Sequence, residues 1–220
     1  MWTLPPPIHA TYLSLTSVSS SASTSVLGQS IALTATVATV DGGAPTGSVD
    51  FIDETTGKDL GNANVEAVGG SYQAILTKVV LPLGTHNILA TYSGDGTYGF
   101  SSASMNQTVA YGTKLLFNNS KPVHSGAVLP VKLALTDANG ADISSADIAV
   151  TATSLVDSNG NAVPLNAAGN ANPNDLFRYD STLGGYIFNL DTKGLAAGTY
   201  TLYYTVGNDP TRHSLTFVVD

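Results

Sequence analysis

The chain reads as an all-β protein of two antiparallel sandwiches in tandem, and three observations carry that reading. Apolar residues alternate with small or hydroxylated ones over many short stretches, the period of a strand with one buried face. Turn signals recur at intervals of roughly 8–12 residues, the spacing of a sandwich or barrel. A motif in the first half returns 114 residues later, about one domain length.

The alternating stretches run the length of the chain. Ile31, Leu33, Ala35 and Val37 open the series, followed by Val49 and Phe51, then Ile88, Ala90 and Tyr92. Val131, Leu133 and Leu135 continue it, with Tyr186, Phe188 and Leu190 after them. Tyr200, Leu202 and Tyr204, then Leu215, Phe217 and Val219, complete it. Asp41-Gly42-Gly43, Gly69-Gly70, Asn139-Gly140, Asn159-Gly160 and Gly184-Gly185 mark turns between them. No stretch has the pattern of a helix of ten or more residues. Ser14–Ser25 carries nine Ser or Thr in twelve positions and reads as the first strand with its approach to the second, rather than as a flexible linker.

The internal repeat is Leu81-Pro-Leu-Gly84-Thr85-His86-Asn-Ile88 against Leu195-Ala-Ala-Gly198-Thr199-Tyr200-Thr-Leu202. Each copy leads into an alternating strand and a Gly/Asp turn. The expected domains are therefore 12–110 and 111–220, joined near Val109–Thr113, with residues 1–11 as a proline-rich tail or linker. In Ig-like sandwiches a tyrosine near the start of strand F ties the E–F corner to nearby backbone. Tyr200 fits that role and makes the prediction two Ig-like sandwiches. His86 takes the matching place in the first, as a corner or half-buried structural residue.

Composition narrows the function. The 220 residues are 43% hydrophobic and only 11% charged, with a formal charge of −8 and eight scattered Lys and Arg. No basic cluster exists to neutralise phosphates, which excludes nucleic acid and argues against acidic membrane surfaces. The absence of cysteine excludes disulfides, thiolate zinc sites and a Cys nucleophile. No run reaches the ~18 apolar residues of a membrane span, so no insertion is expected. The opening MWTLPPPIHATYLSL lacks the basic-then-apolar order of a secretory signal. An exported protein would then be represented here by part of a longer chain.

Three motifs of the first half resemble the bacterial Ig-like repeat of group 3 over residues 12–110. They are Gly28-Gln29 through Val37, Pro45-Thr46-Gly47 through Phe51, and Leu83-Gly84-Thr85-His86 through Tyr92 with Gly94-Asp95. The second half is similar to the PxKF-type domain of bacterial exported proteins. Leu129-Pro130-Val131-Lys132-Leu133, Phe177-Arg178-Tyr179-Asp180, Tyr186 through Leu190, and Thr192-Lys193-Gly194-Leu195 carry that likeness, with Leu133 in place of the family's phenylalanine. The resemblance implies an extracellular or cell-surface location and a spacer or adhesive role. It supplies no catalytic residues.

Each candidate site also has a structural role open to it. Asp95, in Ser93-Gly94-Asp95-Gly96, suits an F–G turn whose glycines relieve positive φ, and also a calcium or ligand contact. Asp137-Ala-Asn139-Gly140-Ala-Asp142 and Asp157-Ser-Asn159-Gly160-Asn161 have the oxygens of a calcium loop. Ile148 and Ala168 stand where such a loop needs its glutamate, so hairpin turns are expected, with room for a weak calcium site and no other cofactor. Among His9, His86, His124 and His213, none accompanies a Gly-x-Ser-x-Gly elbow, and no catalytic site is expected. Asp53-Glu54 reads as a solvated loop. Tyr203 faces away from its strand's core side and is the candidate glycan contact; Trp2, in the proline-rich tail, is a poor platform. Lys114 and Lys132 are the candidates for a Lys–Asn cross-link, although Lys132 should face solvent. The expected function is a non-catalytic structural segment. The alternatives are a glycan- or protein-binding module and a self-assembling surface filament subunit.

Overall fold

The computed structural model describes residues 12–220. The tail 1–11, with Trp2 and His9, lies outside the described residues. The chain forms two compact units. The first takes the chain up to Ser25, Ser30–Val80 and Thr85–Thr108. The second takes Val26–Gln29, Leu81–Gly84 and Val109–Asp220.

The first sandwich is built from β1 (Ser14–Ser20), β2 (Thr24–Val26), β3 (Ile31–Thr39), β4 (Ser48–Asp53), β5 (Lys58–Asn64), β6 (Glu66–Val68), β7 (Ser71–Val79), β8 (Gly84–Tyr92) and β9 (Ser101–Ala110). One sheet has the order β1-β3-β7-β6 and the other β2-β9-β8-β4-β5. Strand β3 buries every second residue, Ile31, Leu33, Ala35 and Val37, as its alternation requires. Ala74 joins them, and Val49, Phe51, Ile88, Ala90 and Tyr92 of the other sheet complete the core. Each of the larger aliphatic and phenylalanine side chains contributes roughly 1.5–3 kcal/mol over an exposed one. The β6–β7 hairpin closes Val68 onto Ser71 through Gly69 and Gly70, both at positive φ (56° and 85°). Two central residues at positive φ make the turn whose twist matches the strands it joins.

The second sandwich comprises β10 (Gly112–Leu115), β11 (Val128–Thr136), β12 (Val150–Asp157), β13 (Ala162–Val163), β14 (Arg178–Asp180), β15 (Gly185–Asp191), β16 (Gly198–Val206) and β17 (His213–Val219). A single turn of 3-10 helix, Pro173–Asp175, is the only helical element among the described residues. The sheets run β10-β11-β15-β14 and β13-β12-β16-β17. Both contribute to one core, with Leu133, Phe188 and Leu190 on one side and Leu155, Leu202, Tyr204 and Phe217 on the other. Phe177 packs on Phe188 at 5.1 Å between ring centroids, and Tyr200 stacks on Phe217 at 5.7 Å. In Ig lettering both units have sheets A-B-E-D and G-F-C-C′, and in the first unit β2 adds an edge strand beside G. The protein is all-β, with two Ig-like antiparallel sandwiches in tandem.

Candidate functional site

Asp53 is not in a solvated loop. It ends strand β4 on the same face as Val49 and Phe51 and is fully buried. Extending the alternation of those two residues by one more step reaches Asp53, so the signal was present in the sequence. The turn residues that follow, Thr55–Gly57, masked it. His86 lies on the inner face of β8 with Ile88, Ala90 and Tyr92, and is buried rather than half-buried. Its Nδ1 donates to Asp53 Oδ2 at 2.8 Å. The Thr56 hydroxyl donates to the same oxygen at 2.6 Å, and the Thr55 N–H to Oδ1 at 3.1 Å. Burial alone would raise the Asp53 carboxyl. The donors from Thr56, His86 and Thr55 outweigh it and hold the group below the usual carboxylate range.

At the loop end of the first unit, Asp95 gathers four donors. The Thr46 N–H and hydroxyl reach Oδ2 at 2.8 and 2.9 Å, and the N–H groups of Thr97 and Tyr98 reach Oδ1 at 2.7 Å each. The backbone donors of Thr46 and Tyr98 hold its carboxyl far below the ordinary value. The Tyr92 hydroxyl donates to the Thr46 carbonyl at 2.6 Å. Its own burial and the nearby Asp95 charge push that phenol up to about 12. Gly47 and Gly94 permit the approach: a Cβ on Gly47, at φ 95°, would stand 2.8 Å from the Gly94 carbonyl oxygen. Asp95 is therefore the staple between the B–C and F–G loops.

The two Asn-Gly loops follow one design. Asp137 Oδ1 accepts from the N–H groups of Asn139 and Ala141 at 2.8 and 2.9 Å. Asp157 Oδ1 accepts from those of Asn159 and Asn161 at 2.9 and 2.8 Å. The side-chain amide of Asn161 also donates to Asp157 Oδ2 at 3.0 Å. Each carboxylate folds its own loop in the manner of an Asx turn. Among the described residues, no group of three or more His, Asp or Glu is placed to hold a metal ion.

Tyr200 donates its hydroxyl to the Ala196 carbonyl at 2.9 Å, closing the turn into β16. Tyr203, on the opposite face, is half-buried, because the Arg212 guanidinium lies 3.8 Å above its ring and also donates to Ser154 Oγ. The ring face that a sugar would stack on is thus covered by a cation. Lys114 is exposed and Lys132 half-buried.

Two further His–Asp pairs occur. His124 and Asp220 meet at 2.8 Å on the surface. His213 Nε2 lies 2.9 Å from Asp209 Oδ2 and 3.1 Å from Thr211 Oγ1. A catalytic base faces its carboxylate and its nucleophile with different ring nitrogens. Here one nitrogen meets both, which is the geometry of a structural cluster. Asp209 Oδ2 also accepts the Tyr111 N–H at 2.7 Å, anchoring the chain just before β10. Sequence reading did not single out Asp209; its position in a Gly-Asn-Asp-Pro turn was the available signal.

Residues 16–110 match the family of bacterial Ig-like domains (group 3). No curated protein matches the chain at a significant level. Among solved structures, fibronectin(III)-like modules of Clostridium thermocellum CbhA align at 13% identity, with a TM-score of 0.30, over 93% of this chain and 94% of that one. The Yersinia pseudotuberculosis adhesin InvE aligns at 17% identity, with a TM-score of 0.33, over 93% of this chain and 58% of the adhesin. Escherichia coli alpha-2-macroglobulin aligns at 14% identity, with a TM-score of 0.40, over 95% of this chain and 14% of its own. The chain spans less than two thirds of the last two.

Proposed function

We propose that this chain is a non-catalytic structural and interaction segment, a spacer or adhesive stalk, of a bacterial secreted or cell-surface protein. The observation that carries the reading is where its carboxylates are used. Asp95, Asp137 and Asp157 each accept backbone N–H groups from their own or the facing loop, so the loop ends are built for rigidity. The outer face of β1, β3 and β7 supports the same reading. Ser17 stands opposite Thr36 and Ser19 opposite Thr34, with Gln73 beside them; Leu15 and Ile75 share this face, which carries no aromatic platform. The match of residues 16–110 to a bacterial Ig-like family supports the location for the first unit; for residues 111–220 the same location is proposed from sequence resemblance to the PxKF-type domain alone.

Binding of the chain to a broad polysaccharide panel, with and without EDTA, tests this reading. No retention in either condition is the expected result. Retention would make it a binding module, with neighbours in glycan or protein, and loss of that retention with EDTA would assign a calcium site to the Asp-rich loops. Self-assembly is a second reading, favoured by Leu13, Leu15, Val40 and Phe100, all large, apolar and exposed. Leu15 lies on β1, an edge strand, and edge strands are templates for pairing with another chain. Light scattering over a wide concentration range separates the two, since only self-assembly makes mass rise with concentration.

A further inference from the structure

A polar row crosses the inner face of the five-stranded sheet, where the alternation of the strands would place apolar residues. On adjacent strands β2, β9, β8 and β4 it comprises Ser25, Gln107, His86 and Asp53, none more than 2% exposed. Gln107 Nε2 lies 3.4 Å from Ser25 Oγ and donates to the Thr108 carbonyl at 3.1 Å. Ser25 Oγ donates to that same carbonyl at 3.4 Å. Gln107 Oε1 meets no donor among the described residues. Leaving a buried amide oxygen unpaired is costly. A hydroxyl is thus held beside a carboxamide, away from water, between the unit's early strand and its last one.

We propose that Ser25 and Gln107 join as an intramolecular ester. Ser25 Oγ attacks Gln107 Cδ, and the hydroxyl proton passes to Nε2. The Cδ–Nε2 bond then breaks, and the nitrogen leaves as ammonia while the Cδ–Oγ bond remains. Atoms balance without an oxidant, metal or cofactor. Fixing the two groups in one buried site replaces a bimolecular encounter with an intramolecular one, the main source of rate available here. Exclusion of water protects the product from hydrolysis. An ester carbonyl is a weaker acceptor than an amide, so the unpaired oxygen costs less once the bond has formed. The His86–Asp53 pair continues the row on the next strands, where it fixes β8 to β4. The mechanical value of the bond rests on the spacer reading, because it pins β2 to β9; the bond itself does not.

The intact mass of the purified full chain, followed over days, tests the proposal. The expected result is a deficit of one ammonia, with a peptide map joining the Ser25 peptide to the Gln107 peptide and hydroxylamine separating them. Ser25→Ala should restore the full mass, and Ser25→Thr, which keeps a hydroxyl, should retain the deficit. Asn139-Gly140 and Asn159-Gly160 can also lose ammonia, by cyclising on their own backbone. A deficit that persists in Ser25→Ala therefore overturns the proposal. So does a full mass in the wild-type chain after prolonged incubation. Circular dichroism of each variant confirms that a restored mass belongs to folded protein. Polysaccharide retention reads the spacer proposal separately, since it does not depend on the mass.

Discussion

The two F strands, β8 and β16, solve one problem in different ways. Position for position, 114 residues apart, His86 stands where Tyr200 does. Tyr200 keeps its ring in the core beside Phe217 and spends its hydroxyl on the Ala196 carbonyl four residues back. That arrangement is local and neutral. His86 instead reaches across to β4 and takes Asp53 as a partner. Its bond joins two strands of one sheet, and Asp53 also accepts from Thr55 and Thr56 of the exposed turn that follows β4. A network of this kind holds only while every member is satisfied. The first unit is therefore expected to be the more sensitive of the two to single changes at this position.

The largest effect should come from Asp53→Ala. It removes the acceptor that His86, the Thr55 N–H and the Thr56 hydroxyl share, and losing hydrogen bonds to a charged group costs about 1.5–3 kcal/mol. Urea unfolding followed by backbone amide signals should show the first unit losing stability while the second is unchanged. An equal loss in both units would break the comparison. Tyr200→Phe should cost only about 1 kcal/mol, because it removes one hydrogen bond and keeps the packed ring.

Acid should sharpen the contrast further. The Asp53 carboxyl lies lower in the folded protein than in the unfolded chain, where it is near its ordinary value. Its contribution is thus fully present above the unfolded value, and is lost as the pH falls through the depressed folded one. Stability of the first unit should fall on acidification below about pH 4, and Asp53→Asn should make that fall shallower while the share carried by Asp95 remains. Asp209, also lowered against its burial by Thr211, Tyr111 and His213, gives the second unit an acid limb of its own. That limb should survive Asp53→Asn. The smallest effect is expected for Arg212→Ala. It uncovers Tyr203 and removes a surface cation–π contact worth about 0.5–1 kcal/mol. If the uncovered ring then retains a polysaccharide that the parent chain does not, Arg212 is what keeps this face from binding.

Residues that take part in periodic or local patterns were readable without a structure. Ile31 through Val37 show a strand by their spacing, and Gly69-Gly70 shows a tight turn because few other residues tolerate positive φ. Tyr200 was readable from its place after Gly198, and the repeat revealed the tandem. Asp53 was misread because a carboxylate next to Thr-Thr-Gly carries the composition of a loop. Donors from His86 on β8 and from Thr56 and Thr55 in the following turn offset the burial. The pairing of Ser25 with Gln107 was not readable, because the two are 82 residues apart and no sequence pattern joins the Ser/Thr-rich stretch that ends at Ser25 to the last strand of the unit.

By itself the sequence determined the class of fold, the two-unit plan and the set of turns, since each follows from side-chain periodicity or from backbone freedom at a few glycines. The tertiary structure alone decided which polar groups face one another. It paired His86 with Asp53, set Ser25 against Gln107, closed Asp95 onto Thr46 and laid Arg212 over Tyr203. Hydrogen bonds and ring contacts act over a few ångströms. The partners in three of these four pairs come from distant parts of the chain, and strand order and register bring them together.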